Sequence, residues 1–518
     1  MIKQALGLGL MERTGTLSLR QRVESPQKDD PEQPPDFWDR NSFLTVLEPE
    51  AVKIGSRPQL FFDDYVVEDT ALLVRTLHPV RKFGGNPVLR EEHPWERMLD
   101  DTGAPGLNLY GSVLFDPERK LFRMWYLTKP NAYHACYAES EDGIAWKKPL
   151  LDLVAFGEHR RTNIVLAPGL TYKGRVVVAE RGAQPLTVMR DENDTPERRF
   201  KGMFTTGARK IVRGMMACYS RDGLHWEFAE QNPVLPGWSD TSNTLFWDPI
   251  HKKYTLMMRP VTYCGVKRRT AISVSSDFIH WSFPRIVMRC DERDNAEPDF
   301  PGFTSQHVDF PRQVYGMPAF FYEGLYVGLK QLRDGNIIRL ELAHSRDAVN
   351  WHNDPLRREF VPLGPQGSWD SAMNQAAPPV QVGTELRFYY GGKDYEHTEA
   401  ARKKGHGSIG FGTLRHHGFY SLASGNHTGQ LLTRPLLCEG ATLSLNAGVR
   451  GSLRVALEDA FGHSIKGFSS ADCGPVSGDS LQHKVRWKDN ESLSRLRGKS
   501  IRLRIEIDRG EIYSFHIS

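Results

Sequence analysis

The 518-residue chain has six cysteines, Cys136, Cys218, Cys264, Cys290, Cys438 and Cys473, and no two stand as CxxC. A zinc site built on cysteines is therefore not expected, and Cys136 and Cys218, inside apolar stretches, read as small buried hydrophobes. No stretch approaches the roughly 18 apolar residues of a membrane-spanning helix. The opening MIKQALGLGLMER holds too short an apolar run for a secretory signal. A cytoplasmic location is thus the expectation, with a secreted or periplasmic one only if the start is misassigned. The net charge of +4 is small and spread along the chain, so nucleic acid is not an expected partner. P-loop, HExxH and G-x-S-x-G motifs are missing. GHGSIG (405–410) matches G-x-G-x-x-G, but it follows a charged run and leads into a strand, so it is a chance match. Helical periodicity is nearly absent.

What the chain does have is a repeat. The pattern S-x-D-x-x-x-W occurs four times, as Ser140-Asp142-Trp146, Ser220-Asp222-Trp226, Ser275-Asp277-Trp281 and Ser345-Asp347-Trp351. Upstream of each lies an apolar strand, a polar turn and a second apolar strand, at 111–127, 186–204, 243–258 and 317–329. A fifth hairpin at 378–392 precedes a degenerate last copy at 407–422. A fourth strand fits the variable stretch after each copy. Five four-stranded units predict an all-β fold, a five-bladed β-propeller over 51–425. From Asn426 the alternation changes texture and predicts a small antiparallel β-sandwich, an accessory domain over 426–518. Residues 1–50 are polar and proline-rich and read as a flexible extension.

The repeated phrase has a structural logic. Asp caps its own backbone, Gly accepts a positive φ, and the Trp four residues on can wedge between blades. A single active site needs only one copy, so the phrase reads as scaffold. Asp116 and Asp248, in the FDP and WDP turns, read the same way, and Glu323 reads as a turn residue.

Chemistry is then sought in the unrepeated residues just ahead of each innermost strand. GWSDTSN offers Trp238 and Asp240; TSQHVDFPRQVYG offers His307, Asp309 and Tyr315; GSWDSAMNQ offers Trp369, Asp370 and Asn374. HPWERMLDDTG offers Glu96, with Asp100 and Asp101 as weaker candidates, and Asp63 and Asp64 lie on a segment that would close the ring. Glycosidic cleavage needs one carboxyl to protonate the leaving oxygen and another as base or nucleophile. Asp240, Asp309, Asp370 and Glu96 are the expected catalytic acids. Trp238, His307, Tyr315, Trp369 and Asn374 would hold the sugar, and Arg259 would pair with hydroxyls or an acid. His134, His307 and His344 are scattered, so no metal and no cofactor are expected; the expected partner is a saccharide.

RPQLFFDDYVVED, GNPVL with HPWE, LFDPERKLFRMWY and YAESEDGIAWKKP resemble bacterial five-bladed propeller proteins similar to glycoside hydrolase families 32 and 43. The resemblance covers roughly residues 55–420, and the tail is similar to the β-sandwich often attached to such propellers. It implies a catalytic set of two Asp and one Glu on different blades, which falls by position on Asp240, Asp370 and Glu96. The chain lacks the N-D-P-N-G of the invertase-like members and has no clear R-D-P or E-C pair. The leading expectation is a glycoside hydrolase acting in the axial funnel. A phosphorylase or transglycosylase on the same scaffold, with Arg259, Lys267, Arg268 and Arg269 as phosphate ligands, is the second. A non-catalytic carbohydrate-binding propeller is the third.

Overall fold

The computed structural model of the chain describes residues 49–98, 106–208, 211–237, 239–240, 242–260, 268–295, 312–397 and 405–518. Trp238, His307, Asp309, Asp100, Asp101 and Cys264 lie outside the described residues. The described chain is nearly all β, and none of its helices is long and apolar enough to cross a membrane.

Five groups of antiparallel strands follow one another along the chain; the fourth and fifth are joined into one eleven-stranded sheet by a parallel pairing of Ile338 with Met373, and each group is called a sheet below. The first is Asn108–Asp116, Leu121–Thr128, His134–Ser140 and Ile164–Leu166. The second is Gln184–Arg190, Phe200–Ala208, Ile211–Ser220 and Glu227–Phe228, with Leu235–Pro236 added to its third strand. The third is Thr244–Asp248, Lys253–Met258, Thr270–Ser275 and Arg285–Met288. The fourth begins with a broken strand, Arg312–Gly316 then Ala319–Tyr322, continues through Leu325–Asp334 and Ile337–Ser345, and ends in Trp351–Asn353 and Glu359–Val361. The fifth also opens on a broken strand, Met373–Ala376 then Val380–Val382, followed by Glu385–Lys393 and Gly407–Arg415. Its fourth strand comes from far upstream, Arg81–Lys82.

The breaks have a local cause. Pro318, Pro378 and Pro379 have no N–H to give a ladder and fall between the two halves of their strands. Pro185 sits at the register shift of the second sheet, and Gly111 at that of the first. A Cβ at Gly111 would lie 1.9 Å from the Trp125 carbonyl oxygen, so only glycine fits that approach.

Neighbouring sheets share apolar cores in cyclic order. One buried cluster joins the first and second sheets through Trp125, Tyr137, Leu186 and Trp226. The second and third meet at Met203, Met215 and Leu256, and the third and fourth at Met257, Ile272 and Tyr326. The fourth and fifth share Leu340, Phe360 and Phe388, and the fifth meets the first through Tyr389, Phe411 and Met124.

The repeated phrase builds the same turn each time. The serine hydroxyl contacts the aspartate, at 2.9 Å for Ser140–Asp142 and 3.0 Å for Ser220–Asp222. The aspartate Oδ1 accepts two backbone N–H groups further on, from Leu224 and His225 in the second copy. Gly143 and Gly223 stand at φ +72°, and Phe278 and Ala348 hold the left-handed conformation at +68° and +63° without glycine's freedom. The first two turns are also gripped by a neighbouring sheet, whereas in the last two the equivalent carbonyl, of Phe278 or Ala348, accepts from the repeat's own tryptophan. Trp125 Nε1 of the first sheet donates to Gly223 O at 2.8 Å, and Tyr389 Oη of the fifth donates to Gly143 O at 2.7 Å. Each repeat tryptophan packs at one of the shared cores, as Trp146 does edge-on to Tyr389.

Apart from the small hairpin Thr171–Tyr172 with Arg175–Val176, the remaining strands form one nine-stranded sheet dominated by two long antiparallel partners, Leu443–Asp459 and Ser500–Ile517. Alternation along the latter buries Ile501, Leu503, Ile505 and Ile507. This sheet takes Gln59–Leu60, Val67–Ala71 and Val74–Leu77 from ahead of the five sheets, and Tyr420–Ala423 from the expected last copy. The segment LFFDDYVVED therefore belongs to the nine-stranded sheet, and the short strand Arg81–Lys82 supplies the outer strand of the fifth sheet. Asp63 instead binds Arg346 at 2.7 and 2.8 Å, and Asp64 pairs with Arg75.

Candidate functional site

The first strands of the five sheets point their leading ends at one cavity of about 180 Å³. Asn108 and Tyr110 reach it from the first sheet, Gln184 from the second, Asp240 and Arg268 from the third, Tyr315 from the fourth and Met373 from the fifth. Strand ends and following loops add Lys129, Tyr133, Lys393, Tyr395 and His397. In every sheet but the third, the proline and glycine breaks described above set the leading end apart from the rest of its strand.

Asp240 is the carboxylate among the described lining residues. Gln184 Nε2 donates to its Oδ1 at 2.7 Å, and the buried guanidinium of Arg259 stands 3.6 Å from Oδ2. The Asp240 side chain is still 46% exposed, so a ligand can reach it. Arg259 is itself fixed: it donates to Tyr315 O at 2.6 Å, and its guanidinium lies over the Tyr315 ring. The sequence reading of Arg259 as the partner of an acid thus corresponds to a contact with Asp240.

A chain of hydroxyls runs beside the carboxylate. Gln375 Nε2 donates to Tyr110 Oη at 2.6 Å, and Tyr315 Oη lies 3.2 Å from His397 Nε2. Burial, then the neighbouring Tyr315 and Asp240, push the Tyr110 hydroxyl well above its ordinary value, so it stays a proton donor. Asn108 Oδ1 and Gln184 Oε1 are buried acceptors with no hydrogen-bond partner. Aromatic faces, unmatched acceptors and a half-exposed carboxylate suit a ligand with an apolar ring face and many hydroxyls.

The other expected acids have structural partners. Glu96 is fully buried and accepts from Lys148 Nζ at 2.9 Å, Tyr126 Oη at 2.5 Å and the backbone N–H groups of Glu92 and His93. Asp370 is buried against Lys82 Nζ at 2.5 Å and Tyr390 Oη at 2.9 Å, so it clasps the strand that completes the fifth sheet. Trp369 stacks on Tyr390, and Asn374 donates to the Val361 and Pro362 carbonyls. None of these four lines the cavity with Asp240. Asp309, His307 and Trp238 lie outside the described residues. Tyr315 does line the cavity.

Sequence reasoning missed Tyr110, Lys129, Tyr133, Gln184, Lys393, Tyr395 and His397. Their common signal is position, at the same end of successive innermost hairpins. Lys129 follows the second strand of the first sheet, and Lys393 ends that of the fifth with Tyr395 just beyond it, whereas the motif search looks ahead of the first strands.

No family model and no curated protein matches the chain. Among solved structures it is similar to a glycosyl hydrolase from Bacteroides ovatus, at 12% identity and a TM-score of 0.43, over 70% of this chain and 96% of that one. A structure from work on the GH130 family of mannoside phosphorylases, containing glycoside hydrolases that target β-1,2 mannosidic linkages in Candida mannan, matches at 12% and 0.43, over 69% and 96%. An N-acetylgalactosamine deacetylase from F. plautii, in complex with blood group B trisaccharide, matches at 14% and 0.41, over 67% and 96%. At these TM-scores the likenesses carry no argument about the site.

Proposed function

We propose that the chain is a glycoside hydrolase on a five-bladed β-propeller, with Asp240 as one of its two working carboxyls. The cyclic order of shared cores, the fifth meeting the first, supports the propeller. The observation that carries the activity is the convergence on one cavity of Asp240, four tyrosines and two unpartnered amide oxygens, drawn from every sheet. Sugar rings stack on such faces, and their hydroxyls would meet Asn108 Oδ1 and Gln184 Oε1. Hydrolysis needs a second carboxyl; Asp309 is the one the sequence offers once Glu96 and Asp370 are assigned to their buried partners.

A second reading draws on the cations Lys129, Arg268 and Lys393 in the same lining. There inorganic phosphate, held by those side chains, attacks the anomeric carbon while a carboxyl protonates the leaving oxygen, releasing a sugar 1-phosphate. Turnover of a panel of aryl glycosides and oligosaccharides, with and without phosphate, separates the two. Phosphate-independent hydrolysis that disappears in Asp240→Asn supports the first reading, and strict phosphate dependence the second. Undiminished turnover in Asp240→Asn removes Asp240 from the chemistry, and binding without turnover favours a non-catalytic propeller.

A further inference from the structure

Far along the fourth sheet's first hairpin, the turn Glu323-Gly324 joins Ala319–Tyr322 to Leu325–Asp334 with both residues at positive φ, +48° and +82°. It faces a second turn, Arg415 to Gly418, that leaves the fifth sheet for the nine-stranded sheet and in which His417 stands at φ +61°. One carboxylate oxygen of Glu323 and one imidazole nitrogen each of His416 and His417 lie within 4.8 Å of one another. None of the three lines the Asp240 cavity.

Two features set this group apart from a chance surface pair. His417 is 9% exposed, and its Nε2 is buried without a hydrogen-bond partner, 3.6 Å from Glu323 Oε1. Its other nitrogen, Nδ1, is 3.1 Å from Ser514 Oγ, a contact that fixes which nitrogen is left for a ligand. The backbone is held too: His417 N donates to Tyr322 Oη at 3.2 Å, and Asn446 Nδ2 to His416 O at 2.8 Å. A buried imidazole nitrogen aimed at a carboxylate, with its ring already oriented, is half of a metal site.

We infer that Glu323, His416 and His417 bind one divalent transition metal, zinc by their donor set, pinning the fourth sheet's hairpin to the turn that leads into the nine-stranded sheet. Two imidazoles and one carboxylate suit Zn²⁺, and the hard, oxygen-seeking Mg²⁺ and Ca²⁺ are poorly served. Bonds of about 2.0 Å in a tetrahedral array put ligand atoms about 3.3 Å apart. The His417–Glu323 separation of 3.6 Å is already close to that. Glu323 and His416 are half-buried, so the ion enters from solvent, and a water completes the shell. Arg57, beside the same turn with its guanidinium over Phe321, is the cation the metal must displace or tolerate.

The test is calorimetric titration of Zn²⁺ into the chelator-treated full chain, with Glu323→Gln and His417→Ala beside it and Ca²⁺ as the control ion. One saturable zinc equivalent, weakened at least tenfold in both variants and absent for Ca²⁺, is the expected result. The melting temperature of the wild type should rise with zinc, and that of Glu323→Gln should not. Glu323→Gln keeps the turn's shape, so it decides the matter if His417→Ala fails to fold. Zinc bound equally by wild type and Glu323→Gln would assign it to exposed pairs such as His463 with Asp459 and overturn the proposal. No saturable binding would overturn it as well.

Discussion

Replacing Glu96 by glutamine separates a structural acid from a catalytic one. The carboxylate is 0% exposed and accepts four hydrogen bonds, two of them from backbone N–H groups. Oε2 serves Lys148 and both backbone groups, while Oε1 takes the Tyr126 hydroxyl proton at 2.5 Å. Glutamine can place its oxygen at only one of these positions. With the oxygen toward Lys148, the amide N–H meets the Tyr126 hydroxyl, which already accepts from Asn163 Nδ2 at 2.7 Å. The Lys148 side chain, 2% exposed, then keeps its charge against a neutral amide oxygen, with Glu92 at 3.5 Å as its carboxylate and the Arg90 carbonyl beside it. Removing one member of a buried ion pair costs about 3–5 kcal/mol. The remaining contacts of Lys148 place Glu96→Gln near the lower end, about 3 kcal/mol. Asp240→Asn, half-exposed, should stay within about 1 kcal/mol of wild type. Urea denaturation followed by tryptophan fluorescence reads both. A Glu96→Gln protein with an unchanged midpoint and no turnover would refute the structural assignment and return Glu96 to the catalytic set.

Asp370→Asn strips the charge that holds Lys82, so the same denaturation should show a loss of about 3 kcal/mol, with the loss of protection in hydrogen exchange concentrated at residues 81–82 and 407–415. Gly223→Ala puts a Cβ 2.7 Å from Trp125 Cζ2 at a φ of +72°, and should cost about 2–4 kcal/mol by melting or denaturant. Burial would raise the Asp222 carboxyl, but the His225 N–H and ring, the Leu224 N–H and the Ser220 hydroxyl outweigh it and hold it at about 2. A depressed carboxyl stabilises the fold above its unfolded value of 3.8, and that contribution is lost as pH falls toward 2. Asp222→Asn should therefore flatten the stability curve in that window and leave its slope above pH 5 unchanged; an identical acid limb would disprove the linkage.

The repeat was legible because its chemistry is local. Ser and Asp of each turn bond to one another and to backbone N–H groups within three positions, so spacing alone exposes them, and the hairpins ahead of them follow by alternation. The breaks at Pro318 and Pro378-Pro379 are likewise local, since a missing N–H is written in the residue itself. The site was much less legible. GWSD and GSWD look alike in sequence, yet Asp240 opens onto the cavity while Asp370 lies buried against Lys82, 288 positions earlier. No local pattern records such a partner, nor that Glu96 would meet Lys148 and Tyr126.

Sequence by itself determined the all-β character, the count of hairpins and the structural role of S-x-D-x-x-x-W, because each depends on side-chain alternation or on bonds between near neighbours. Tertiary structure decided which strand completes the fifth sheet, that residues 59–77 join the C-terminal sheet, and which carboxylate is free to meet a ligand. Those outcomes depend on pairs brought together from distant parts of the chain. A carboxylate's availability is set by the cation or N–H it meets in the fold, and that partner's identity is not carried by the residues beside it.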